Sequence, residues 1–111
     1  MGKFQYNQMT RVDIEDRLLL HLQAVIGTKL RRGEPFAFTW RDDASIGGGR
    51  TTVWVNAASA LVFKYYGSRQ PSMNPRWLEA LMFEANSPSG LHAVREPESA
   101  PVGKDEYVEV G

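Results

Sequence analysis

The sequence predicts a single α+β domain, and three observations support this fold class. Two long segments carry apolar residues at helical spacing, and five shorter ones carry β-branched and aromatic residues at strand spacing. The chain has 111 residues, of which 42% are hydrophobic, which is enough for one core. The predicted order is β-α-β-β-β-α-β, an antiparallel sheet with both helices on one face.

The first strand is predicted at "KFQY", and a helix follows at about residues 13–32. Asp13 can cap this helix, and Gly33 suits the position just past its end. Apolar residues recur along it at helical spacing: Ile14, Leu18, Leu22, Val25 and Ile26. Every local pattern in this segment therefore indicates helix.

Three strands are predicted next, at "PFAFTWRD", "RTTVWVN" and "ALVFKYYG", and they are expected to form a meander. The glycines of "RDDASIGGGR" lie between two of these strands and lack the GxGxxG and Gly-Lys-Ser/Thr patterns of nucleotide loops. A phosphate-binding loop also needs a helix after it. This loop is therefore predicted to be a hairpin tip that presents Arg50.

The second helix is predicted from Asn74, a favourable N-cap, with Pro75 in the first helical position. It should stop near Asn86, and the last strand follows at "LHAV". These elements complete one domain over residues 1–95.

Residues 96–111 are predicted to form an acidic, flexible tail, with a short strand possible at "EYVEV". They hold five acidic residues and one lysine and carry −4, whereas residues 1–95 carry +4. One interpretation is a solubilising tail. The other is an acidic segment that competes for a basic surface of the domain.

Few patterns in the chain indicate chemistry. Cysteine is absent, which excludes disulfides, thiol nucleophiles and cysteine-bound metals. His21 and His92 lack acidic partners at metal-ligand spacing and are expected at the surface or the core edge. We therefore expect no cofactor, no metal and no enzymatic activity, although a pocket that gathers either histidine with carboxylates would favour an enzyme. The absence of a signal peptide and of a membrane span predicts a soluble, cytoplasmic protein.

The outer face of the predicted sheet is the first candidate binding surface. Strand alternation places aromatic and cationic groups there: Thr39, Arg41, Thr52, Trp54, Asn56, Lys64 and Tyr66. Such a face suits a homo-oligomer contact, and it also suits stacking of single-stranded nucleic acid. Coverage from within the chain is the third interpretation.

A second candidate is an anion site at "YYGSRQPSMNPR", where Arg69 and Arg76 flank the start of the second helix. Ordinary capping by Asn74 explains the same residues. The candidate binding residues are Arg41, Arg50, Trp54, Lys64, Tyr66, Arg69 and Arg76.

Three segments over residues 1–95 resemble a family of small actinobacterial proteins that are often labelled "ATP-dependent DNA ligase". They are "VDIEDRLLLHLQAVIGTKLRRGEPFAFTWRDD", "GGGRTTVWVNAASALVFKYYGSRQP" and "WLEALMFEANSPSGL". Ligase chemistry needs lysine in a KxDG motif, and only Lys64 comes near it, with Tyr66 in place of the aspartate. The resemblance therefore implies at most an association with DNA.

The expected function is a small, non-catalytic binding or assembly module that acts through protein contacts or self-association. Nucleic-acid binding is the alternative, and no membrane partner is expected.

Overall fold

The structure, a computed structural model, describes residues 1–42, 45 and 47–98. The α+β class is confirmed, with two helices and six strands in this part of the chain. The elements are β1 (Gly2–Tyr6), β2 (Thr10–Ile14), α1 (Asp16–Arg31), β3 (Phe36–Arg41), β4 (Arg50–Val55), β5 (Leu61–Lys64), α2 (Pro75–Ala85) and β6 (Leu91–His92).

The strands form two three-stranded sheets where a single antiparallel sheet was expected. One sheet has the order β2-β1-β5 and the other β4-β3-β6. All pairs are antiparallel except β3 with β6, which run parallel. The predicted strand order also lacked β2. The α+β prediction is thus right in class, and its sheet arrangement needs the corrections below.

The additional strand β2 replaces the predicted first turn of the first helix. Val12 pairs with Phe4, and Ile14 pairs with Gly2, so the two apolar residues of β2 lie on its buried side. Asp13 is not a helix cap, because it lies on the opposite side of β2 and its carboxylate accepts a 2.7 Å bond from Lys3. Helix α1 begins later, at Asp16.

Strand β5 pairs with β1 and not with β4, which ends the predicted meander after two strands. Asn7, in the β1–β2 turn, stabilises one end of this pairing. Its N–H donates to the Ala60 carbonyl at 2.8 Å, and its Oδ1 accepts from the Ala60 N–H at the same distance. The chain is thereby directed onto β1, where Leu61 lies opposite Tyr6.

An aromatic cluster joins the two sheets. Phe4 of β1 is fully buried, and its ring centroid lies 5.2 Å from that of Phe38 and 5.3 Å from that of Phe63. Trp40 lies 5.9 Å from Phe4 in an edge-on arrangement. Edge-to-face packing of this kind adds stability beyond the area that it buries. The sheets therefore share one core, to which the buried sides of both helices contribute.

The turn that leads into β6 requires glycine. Gly90 has φ +84°, and a Cβ atom there would lie 2.6 Å from the Ala37 carbonyl oxygen. Only glycine allows this approach with a left-handed backbone. The close contact holds Leu91 and His92 beside β3.

The first residues of the predicted tail lie against the domain. Glu96 is bonded to Arg17, the Pro97 carbonyl accepts from Asn74, and the Glu98 carbonyl accepts from Arg76 at 3.4 Å. The remainder of the predicted tail, including "EYVEV", lies outside the described residues.

Candidate binding groove

A groove of about 680 Å³ lies between the edge of β2 and the edge formed by β3 and β6. Its volume falls within the range of small-ligand and peptide sites. Apolar side chains form most of its surface: Val12, Ile14, Leu18, Leu22, Phe38 and Trp40. Because helix α1 starts directly after β2, its first turns supply Leu18 and Leu22 to the floor.

Strand edges form both walls of the groove. Strand β2 is the outermost strand of its sheet. Strand β6 pairs with β3 only at Phe38 and Thr39, so Trp40 and Arg41 continue past its end. An edge strand presents N–H and C=O groups that another extended segment can pair with. Among the described strands, none covers these two edges.

Two arginines lie opposite each other at the β3–β4 end of the groove. Arg41 and Arg50 form a cross-strand pair, both are exposed, and both line the groove. Like charges in this position repel each other. Within residues 1–42, 45 and 47–98 neither side chain makes an ion pair. An anionic group bound between them would relieve the repulsion.

The β2 wall of the groove carries acidic residues. The Lys3 ammonium bonds to Asp13 and holds the pKa of that carboxyl below its ordinary value. Glu15 follows two residues later and makes no salt bridge among the described residues, although the charge of Arg17 lies near it. The charges of the groove are therefore separated, with the two arginines at its β3–β4 end and Asp13 and Glu15 on its β2 wall.

His92 also lines the groove, so this pocket gathers a histidine with the carboxylates of Asp13 and Glu15. Its Nε2 lies 3.7 Å from Glu84 Oε1, which is beyond hydrogen-bond distance. The described residues contain no group of three His, Asp or Glu side chains placed to hold a metal ion. A pocket that gathers these groups is the feature that would favour an enzyme, and no described carboxylate lies within hydrogen-bond distance of His92.

The predicted aromatic and cationic face is divided between the two sheets. Arg41, Arg50 and Trp54 lie on the outer face of β4-β3-β6, where Trp54 is 66% exposed. Lys64 is the last residue of β5 in the other sheet, and Tyr66 lies two residues past the end of that strand. The expectation of one continuous surface is wrong, because it depended on β5 pairing with β4.

The predicted anion site at the start of α2 lies beside the last described residues of the chain, and Asn74 and Arg76 contact them. Asn74 caps the helix as predicted, since its Oδ1 accepts from the Arg76 N–H at 3.1 Å. Its Nδ2 donates to Glu96 at 2.9 Å. Arg76 reaches the Glu98 carbonyl, and Arg69 is exposed in the preceding loop. The site is thus part of an internal contact.

Arg17 binds Glu96 through two hydrogen bonds, from Nε at 3.0 Å and from Nη2 at 2.6 Å. These bonds, together with that from Asn74, lower the pKa of the Glu96 carboxyl from its ordinary 4.5 to about 2. Sequence reasoning missed this contact because it placed Glu96 in the tail. The partners are 79 residues apart, and no local pattern connects them.

Replacing Glu96 by glutamine should remove a pH-dependent part of the stability. A lowered carboxyl pKa stabilises the fold above the unfolded value of 4.5, and this contribution is lost as the pH falls toward about 2. The stability difference between the unmodified protein and Glu96→Gln should therefore be constant from neutral pH to 4.5 and shrink below it. Urea denaturation across pH measures this difference. Glu79→Gln, at an exposed site on α2, is the control, and a Glu96→Gln difference that does not change with pH would contradict the assignment.

His21 is fully buried, contrary to the expected surface or core-edge position. Its Nε2 accepts from the Asn74 N–H at 2.8 Å, which leaves Nδ1 to donate to the Arg17 carbonyl at 2.7 Å. Its ring centroid lies 4.6 Å from that of Trp77. His21 therefore acts as a structural link between α1 and the start of α2.

No described helix is long and apolar enough to cross a membrane.

Comparison with other proteins gives a family but no activity. The curated proteins and the solved structures each gave no match. Residues 1–96 match a family described as a domain of unknown function, DUF7882. Because this match spans most of the 111 residues, the chain belongs to that family.

Proposed function

We propose that this domain is a non-catalytic binding module that takes up an extended polypeptide segment in the groove between β2 and β3. The observation that carries the proposal is the combination of two strand edges that no described strand covers with an apolar floor. A segment added to such an edge gains backbone hydrogen bonds, and the groove selects alternate side chains. A second copy of the chain is one source of the segment, which would make the protein a homo-oligomer.

The side chains of the groove define the segment that it should prefer. Alternate apolar side chains would pack on Val12, Leu18 and Trp40, the half-buried apolar side chains of the groove. An acidic side chain at one end would lie between Arg41 and Arg50, whose repulsion it would relieve. A basic side chain in that place would add to the repulsion.

Fluorescence anisotropy with two labelled peptides tests this preference. Both alternate valine with threonine, and the first residue is glutamate in one and lysine in the other. The full chain should bind the glutamate peptide more tightly. In the double variant Arg41→Glu, Arg50→Glu the preference should reverse. Arg69→Glu changes the charge outside the groove lining and should leave the preference unchanged. Equal binding of both peptides by the unmodified chain, or no binding of either, would refute the proposal.

Nucleic-acid binding is the second candidate, and exposed Trp54 on the same sheet face as Arg41 and Arg50 favours it. A single-stranded oligonucleotide therefore belongs in the same anisotropy measurement. Two phosphate contacts would make log K fall with log salt at a slope of roughly −1.4 on single strands. Binding that is lost in Trp54→Ala would support base stacking on this face. No binding at low salt would exclude this candidate and the DNA association that the ligase label implies.

A further inference from the structure

We infer that the groove is occupied, in the free protein, by the chain's own C-terminal segment, residues 105–110, "DEYVEV". The inference rests on the groove proposed above as a binding site, and it names an occupant that blocks the site until a partner displaces it. Reach, side-chain pattern and charge each support this segment.

Ala93 lines the groove, and the described chain ends five residues later at Glu98, so at most about 17 Å of extended chain separates the two. Glu96 is bonded to Arg17, and the next residue of α1, Leu18, lines the groove. The chain itself passes along the groove wall at His92 before it reaches Glu96. Residues 99–106 can span about 27 Å when extended, at about 3.4 Å per residue. The segment can therefore reach the groove without any change in the domain.

The side-chain pattern of the segment matches the apolar floor and the arginine pair of the groove. In an extended segment alternate side chains share a face, which places Glu106, Val108 and Val110 together. Both valines would pack on the apolar floor, and Glu106 would lie at the Arg41–Arg50 end. Residues 96–111 carry −4 and residues 1–95 carry +4, so the charges attract overall.

Tethering makes a weak contact sufficient for occupancy. A short flexible linker gives an effective concentration of about 1 mM. For a free segment with a dissociation constant of about 0.1 mM, the ratio of occupied to free groove in the tethered chain would be about 10. Disrupting the segment should then strengthen binding of an added peptide by about tenfold.

A spin label at the end of the chain tests the contact directly. The protein contains no cysteine, so Gly111→Cys provides a single attachment site. Paramagnetic broadening in NMR spectra should affect amides of the groove wall, such as Ser89 and Ala93, and spare Val62 on the outer face of the other sheet. The full chain with Glu106→Lys and Val108→Asp should lose this broadening. Broadening that is absent, or that persists in this variant, would overturn the inference.

A mixed sample identifies the source of the segment. Chains that carry the spin label but no isotope label are combined with isotope-labelled chains that carry no spin label. Broadening of the isotope-labelled chains would mean that a second copy supplies the segment, and light scattering would then show a dimer. That result would overturn the intramolecular contact.

The glutamate peptide separates this inference from the proposed function. If the Glu106→Lys, Val108→Asp chain binds this peptide about tenfold more tightly than the unmodified chain, both the inference and the proposed function are supported. Equal binding by this variant and the unmodified chain overturns the inference and leaves the binding module standing. If the peptide binds neither the variant nor the unmodified chain, and neither NMR spectrum shows broadening, both the inference and the proposed function are overturned.

Discussion

Replacing Phe4 by alanine is expected to lower the free energy of unfolding by about 4 kcal/mol, as for other buried phenylalanines. Phe4 is fully buried and contacts Phe38 and Trp40 of one sheet and Phe63 of its own. The smaller side chain would leave a cavity where the two sheets meet. Because small domains are stable by only about 5–15 kcal/mol, this loss should be a large part of the total.

Urea denaturation followed by circular dichroism measures the change. Phe83→Ala provides a matched control, because Phe83 is 73% exposed on α2. The same substitution there should change the stability by less than about 0.5 kcal/mol. Equal effects of the two substitutions would show that the aromatic cluster does not hold the sheets together.

Replacing His21 by leucine should cost about 2–3 kcal/mol, although leucine is the more apolar side chain. The substitution removes the acceptor of the buried Asn74 N–H, and an unsatisfied buried donor costs about 1–3 kcal/mol. Glutamine can place a carbonyl oxygen near the position of Nε2, so His21→Gln should cost about half as much. The order of the two variants therefore distinguishes a hydrogen-bonding role from simple filling of space.

Urea denaturation gives the order, and hydrogen exchange at the Asn74 amide reports the bond itself. His92→Leu is the control, since the His92 side chain is 47% exposed. It should change the stability by less than about 0.5 kcal/mol. If His21→Leu is as stable as His21→Gln, the hydrogen bond to Asn74 contributes nothing measurable.

The helices and most strands could be predicted because their patterns are local. Asn74 and Pro75 mark the start of α2 in the sequence, and the structure has the helix there. The start of α1 could not be placed because Ile14 fits a helical stripe and a strand pattern equally well. The strand forms because Val12 pairs with Phe4 of β1, and no local sequence pattern reveals that pairing.

The candidate site was only partly predictable for a similar reason. The exposure of Trp54 and Arg41 follows from strand alternation alone. The groove does not follow from alternation, because it lies between two separate sheets, and the division of the strands into these sheets depends on long-range pairing. The side-chain directions were thus available from the sequence, and the division into two sheets was not.

The contact between Arg17 and Glu96 has a consequence for how the chain folds. Forming it closes a loop of 79 residues, and its entropic cost grows only with the logarithm of that length. Contacts between such distant partners become favourable only when the intervening chain is already compact. A chain cut after residue 95 would keep every strand and helix described here and lack this carboxylate. The stretch matched by the family ends at residue 96 and therefore includes this carboxylate.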